Sequence, residues 1–549
     1  MRYGRRFRSR QGPGPSAEPD LDGALDAMAA EELRSFVRDA LERLDDGPRG
    51  ELVDALILWA AKGSSGWKPP GPSRRIVDDV QRFAEAARRI GYADPNEVDD
   101  YLRQGTKAFL AGEHATARGV FEALLPAVGD GEIDLGYHEM IDEVLTVDVQ
   151  ECAAQYVASV YLTTPLEERS QALPAAMDAV HGVASFWQPI EQMECAATAH
   201  LPELDAFLPR WLEFLEDQPA PKDDWEGDRE RWLREAVLRL EGVEGLERIA
   251  RKTKRPEALQ AWCDALVERG DWADALRAYD DATKLVADSH WRADFLDGAA
   301  LAAQQLRRRD CAKRVEAAWL GAPTLLRLLR WLGAGSPSAT TLGKRARDAI
   351  RRCPRKEGRQ LGLLQVLTGD VQAAAKLLAR APGLGWSSED HPGHLLFPAF
   401  AGLLAEGTRA KLAAELFSSL QEAPHDPLDM GWDDGDRAKA RPKLSMPSIA
   451  ELIAQARPTT SIDPKGRAAI LEAMRAAATK RVDGILGNKR RRYYGHAATL
   501  VACCLELAPA AGRQKGVADW VHDLRARYAR FSAFQEELEN ALASISDRR

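Results

Sequence analysis

The chain has 549 residues, 45% of them apolar and 29% charged, and a net charge of -9. At about 150 residues per domain this length exceeds one domain, and the composition lacks the low hydropathy and high net charge of unfolded chains. The acidic balance excludes a protein that coats nucleic acid over its whole surface, and the nearest approach to a membrane span, Ala497 to Leu505, stops at Glu506, well short of about 18 apolar residues.

The opening segment MRYGRRFRSRQGPGPS carries five Arg in ten residues with no apolar stretch behind them. It does not read as a secretory leader, and residues 1–20 are expected to be disordered. From there Ala, Leu, Arg and Glu dominate, while Ile occurs 14 times and aromatics make up 7%. Helix formers without β-branched or aromatic enrichment predict an all-α chain. Apolar stripes at i, i+3, i+4 spacing agree. The first joins Leu33, Phe36, Val37, Ala40, Leu41 and Leu44. Others run over 77–90, 98–110, 115–125, 233–240, 258–267, 273–286, 361–378 and 521–542.

Gly, Pro and Asp punctuate these stripes. Residues 64–72 read as a stiff linker, 217–228 as an acidic loop and 333–343 as a flexible one. The longest break spans 424–447. The resulting division is a basic tail (1–20), N-terminal helices (21–63), a helical array (74–423), a linker (424–447) and a C-terminal helical unit (448–549). Seven scattered cysteines contain no C-x-x-C pair. They read as small buried hydrophobes of a reducing cytoplasm, the vicinal Cys503-Cys504 included. The bias of 57 Arg against 18 Lys points to a GC-rich bacterial genome.

Three segments share one pattern: a helix, a Gly followed by an acidic residue, then a second helix with Ala five residues after the Gly and a large residue four beyond. They contain Gly112, Ala117 and Phe121; Gly270, Ala275 and Tyr279; and Gly369, Ala374 and Leu378. The Gly ends one helix in a left-handed conformation, the Ala permits close backbone approach, and the large residue fills the remaining gap. The pattern resembles the second half of a tetratricopeptide repeat, with Gly105 at the small position of the first helix. The resemblance implies an irregular solenoid of helical hairpins. The repeats depart from the family in their poorly filled first-helix Trp and Tyr positions and irregular spacing, so the array is degenerate. The C-terminal segments Arg492 to Leu500, Trp520 to Tyr528 and Phe531 to Phe534 are similar to helical tails of bacterial SWIM zinc-finger proteins. The finger's C-x-C and C-x-H pairs are absent, so zinc binding does not carry over.

No phosphate-binding loop, dinucleotide fingerprint, nucleophile elbow or H-E-x-x-H stands in the sequence. His138 and Asp142 are spaced to share a helix face, but Met140, Ile141, Val144 and Leu145 make the solvated acidic face of a helix the better reading. Asp429 to Asp436 fails calcium-loop spacing. No catalytic residue, cofactor or metal is therefore assigned. Charge distribution stands out instead: residues 306–359 hold 15 basic and four acidic residues, whereas 130–151 hold eight acids and no Lys or Arg. Lys344, Arg347 and Arg351 fall on one helix face, with Arg352 and Arg355 beside them, and form the candidate contact patch. Lys489, Arg490, Arg491 and Arg492 form a second cluster ahead of Tyr493 and Tyr494. Such a patch fits an acidic protein, phosphates of a nucleic acid, or solvent alone. The sequence thus predicts a cytoplasmic, non-enzymatic protein-binding scaffold without membrane association. A nucleic-acid-associated subunit is the alternative, and an enzyme with an unrecognised site a further one.

Overall fold

A computed structural model describes residues 21–63, 65–136, 140–219, 226–388, 390–422, 442–457 and 462–546. Among them the chain is all-α, with 27 helices, no strand and a single isolated bridge between Tyr92 and Asp134. No helix among the described residues is long and apolar enough to cross a membrane. The basic tail 1–20, His138 and the Asp429 to Asp436 loop lie outside them.

The chain divides into two compact units, Met1–Lys252 and Thr253–Arg549. The first is acidic, with 29 basic against 48 acidic residues, and the second basic, with 46 against 36.

In the first unit the hairpin Pro95–Ala111 and His114–Gly129 forms as its sequence dictates. Asp94 accepts the Asn96 N–H and Pro95 sits at the first helical position, where its missing N–H costs nothing. Gly112 ends the helix at φ 88°. Phe121 is fully buried against Gly105, where a Cβ would stand 2.7 Å from the Phe121 ring. The buried Asp99 carboxylate accepts N–H groups of Thr146 and Val147 and so ties the later part of the acidic segment 130–151 to this hairpin. Glu235 does the same for the helix Pro189–Ala196: it is buried and accepts the N–H groups of Ile190 and Glu191, with Arg239 at 3.5 Å.

In the second unit each helix from Pro256–Glu268 to Lys411–Ser418 packs on the next, the order a solenoid requires. Gly270 and Gly369 take φ 75° and 78°, and Ala275, Tyr279, Ala374 and Leu378 are buried. The repeat pattern therefore marks real hairpins, but its large residue has two uses. Phe121 closes on Gly105 within its own hairpin, whereas Tyr279 closes on Gly298 of the following helix Ser289–Gln305.

The observed division differs from the punctuation-based one. The helices Ile449–Ala456, Pro464–Gly487 and Tyr494–Leu507 share one core with Ala339–Arg352, Val371–Arg380 and Gly393–Ala405. Apolar faces on both sides of 424–447 need each other as cover. Gly383 admits the Lys480 carbonyl where a side chain would collide. Of the break itself, 423–441 lies outside the described residues, while Lys443 and Ser445 bond Gln304 and Pro447 packs on Gly333.

Other expectations change locally. The stripe of the helix Ala30–Glu42 has no fully buried residue, and Phe36 and Leu44 are exposed. The loop 333–343 yields at Ala339 to a helix, because Ser338 accepts the Thr341 N–H as its cap. The stripe 521–542 is two helices, Gln514–Arg527 and Ser532–Ser546. Met140 is exposed rather than on the buried side, and the helix carrying Asp142 is one turn, Ile141–Val144. Cys503 and Cys504 are fully buried, and burial pushes both thiols up.

Two stability outcomes follow from these contacts. Gly105→Ala should destabilise the first unit by about 1–3 kcal/mol through overpacking against Phe121, read as a lower midpoint in urea. Burial raises the Glu235 carboxyl from 4.5 to about 7. A raised acid binds more protons folded than unfolded between those values, so its contribution falls as pH rises through that window. The stability of wild type relative to Glu235→Gln should accordingly decline between pH 4.5 and pH 7 and level off above it; a flat difference would contradict this.

Candidate functional site

The 15 basic residues of 306–359 fall into two sets once folded. Arg327 and Arg330, on the helix Leu325–Gly333, are both 4–5% exposed and converge on Asp297, itself 4% exposed on Ser289–Gln305. Arg327 Nε donates to Asp297 at 2.7 Å, Nη2 pairs with Asp294 and Nη1 donates to the Ala322 carbonyl, while Arg330 lies 3.5 Å from Asp297. Burial pushes the Asp297 carboxyl up against the opposing pull of both guanidinium groups. Three residues apart, the two arginines share one helix face, which meets the carboxylates of Ser289–Gln305, two helices back in the chain.

Three more cations are held in place. Arg345 Nη1 donates to the carbonyls of Trp331, Leu332 and Ala334 at 2.8–3.1 Å, closing the open C-terminus of Leu325–Gly333. Arg314 pairs with Asp280 and Asp310. Arg359 donates to the carbonyls of Trp386 and Ser388.

The candidate patch is divided by the same logic. Ala339–Arg352 buries Leu342, Ala346 and Ala349, so Lys344, Arg347 and Arg351 project from its opposite face and are exposed. Lys344 and Arg347 have no ion pair among the described residues, and Arg351 pairs only with Asp348 one turn back. Arg352 departs from the expectation of a free contact residue. It bonds Glu316 at 2.7 Å and lies 5.3 Å over the Trp331 ring, fastening Ala339–Arg352 to Cys311–Gly321. Arg355 is exposed. On Cys311–Gly321, the exposed Lys313 and Leu320 lie one turn either side of Glu316, so cations and an apolar side chain flank the bridge.

In the second cluster Lys489, Arg490, Arg491 and Arg492 are exposed on the turn between Pro464–Gly487 and Tyr494–Leu507. Arg492 stacks on Tyr493 at 4.8 Å, and Tyr494 is buried against Phe534. Near the second cluster, Trp386 is approached by two further arginines. Trp386 receives Arg359 on its carbonyl and Arg481 over its ring, and Arg481 also lies over Tyr493. Sequence reading passed over Trp386, His391, His394, Arg481 and His496, because nothing in their spacing announces that they converge. Among the described residues no three His, Cys, Asp or Glu side chains gather as a cation-binding set.

Removing a buried counter-charge should cost far more than removing an exposed one. Asp297→Ala removes the carboxylate shared by two buried guanidinium groups and should destabilise the fold by about 3 kcal/mol, whereas Lys344→Ala should stay within about 0.5 kcal/mol. Denaturant titration of both variants checks the contrast; equal losses would contradict the division of charge. No family model matches the chain, and no curated protein matches it.

Proposed function

We propose that the protein is a non-enzymatic α-helical scaffold, a degenerate tetratricopeptide-like array that binds an acidic protein on its second unit. The observation that carries this reading is the row Lys344, Arg347 and Arg351. It remains exposed while the buried cations of the same segment are engaged by carboxylates or carbonyls. Exposed charge of one sign on a unit with ten more basic than acidic residues steers an oppositely charged partner. The exposed Leu320, two turns along the same helix from the exposed Lys313, favours a protein over a bare phosphate backbone, since an amphipathic acidic segment uses both. A cytoplasmic setting, with seven free cysteines, suits this reading.

The test is affinity purification of the wild-type chain against Lys344→Glu, Arg347→Glu and Arg351→Glu combined, with and without nuclease. The triple variant should keep its helical spectrum and lose the protein that wild type captures. Capture by wild type should weaken as salt rises and ignore nuclease. Partner recovery unchanged by the triple reversal would refute the surface, and capture abolished by nuclease would make nucleic acid the ligand.

A further inference from the structure

An acidic and partly apolar surface of the kind that would fit the Lys344 face exists within the chain itself. The first unit holds 19 more acidic than basic residues, whereas the second holds ten more basic than acidic ones. Copies of a uniformly charged protein repel each other. A chain polarised in this way carries both halves of an attractive pair.

On the first unit, acid and apolar surface coincide where two loops are bonded together. The helix Ile76–Ile90 ends at Gly91, φ 78°, and Tyr92, Ala93 and Asp94 lead into Pro95–Ala111. The Ala93 N–H donates to the Asp134 carbonyl at 3.0 Å and the Asp134 N–H donates to the Gly91 carbonyl at 3.2 Å. Tyr92 also lies against Gly136, where a Cβ would stand 2.9 Å from its ring. These contacts hold Ile90, 74% exposed, and Tyr92, 48% exposed, next to Asp134. Asp94, Glu97 and Asp134 are exposed and have no ion pair among the described residues. Asp94 and Asp134 accept only N–H groups of their own turns, and the Glu97 N–H bonds the Asp94 carbonyl at 3.0 Å. Of the adjoining cations, Arg88 is engaged by Glu132 at 2.8 Å, and Arg89 has no ion pair among the described residues. Single exposed apolar side chains are ordinary; here two of them share an edge with three unpaired acids.

We infer, resting on the protein-binding reading of the Lys344 face, that its partner is a second copy of this chain, docked through the edge of Ile90, Tyr92, Asp94, Glu97 and Asp134. The two surfaces match in both respects. Lys344, Arg347 and Lys313 offer exposed cations without an ion pair among the described residues, and Leu320 offers an apolar contact for Ile90 or Tyr92. The contact joins unlike surfaces, so each copy in a pair keeps one edge or one face unused. Association therefore continues past pairs, into closed rings or open chains. Exposed charges around two apolar anchors give a weak contact, with a dissociation constant on the order of 10 μM.

The experiment is sedimentation velocity of the full chain across about 1–100 μM. In about 50 mM salt the weight-average sedimentation coefficient should rise with concentration, and in about 500 mM salt it should stay at the monomer value. Lys344→Glu, Arg347→Glu and Arg351→Glu combined should raise the dissociation constant at least about tenfold, and so should Ile90→Lys with Glu97→Lys. Mixing the two variants in equal amounts should then yield a one-to-one heterodimer, one chain lending its intact edge and the other its intact face. A misfolded variant could not be rescued in this way. A wild-type chain that stays monomeric in low salt overturns the inference. If the Lys344 triple variant nonetheless loses a different captured protein, the reading of that face stands without it. Self-association that persists in both variants, or two monomeric variants with wild-type helical spectra that do not pair on mixing, would equally overturn the contact.

Discussion

The second unit depends on where its arginines end. A guanidinium buried between helices is tolerable only if something accepts its five donors, and the chain meets that condition differently at successive levels. Asp297 and Asp294 answer Arg327 and Arg330, which ties Ser289–Gln305 to Leu325–Gly333. Free carbonyls at a helix end answer Arg345, which ties Leu325–Gly333 to Ala339–Arg352. Glu316 and the Trp331 face answer Arg352, which ties that helix back to Cys311–Gly321. Between them, these contacts fix the orientation of four consecutive helices and turn Lys344, Arg347 and Arg351 outward. Burying such groups is not in itself stabilising; their value is that helices built from Leu and Ala, which pack in many registers, are left with one.

On Ala339–Arg352 the exposed cations have full access to water and need no partner to be stable, so their meaning lies in their alignment. An exposed row suits a reversible protein contact with long-range steering.

Much of the architecture was legible in the sequence because helical hairpins announce themselves locally. Gly112, Gly270 and Gly369 end helices where a left-handed residue is required, and the Ala and large residues after them are buried. Less was legible where the outcome depends on distant segments. Nothing in the run from Val521 to Leu542 marks the break after Arg527, since neither Gly nor Pro stands there. The Pro- and Gly-rich break at 424–447 looked like a boundary, yet the helices on either side complete one core. The basic segment was visible as a composition, but its sorting into buried and exposed cations was not, because Asp294, Asp297 and Glu316 are assigned to their arginines only by packing. The contacts of Trp386 were invisible, since they join residues from 359 to 496 through a tryptophan with no motif around it.

The most direct measurement of this sorting is arginine labelling of the native chain with a phenylglyoxal reagent, read by peptide mass spectrometry against the denatured chain. The account requires Arg347 and Arg355 to react rapidly, near their denatured rates. Arg327 and Arg330, at 4–5% exposure, must be strongly protected. Comparable native rates at Arg327, Arg330 and Arg347 would mean that the buried charge network does not exist, and the outward row that it positions would lose its basis.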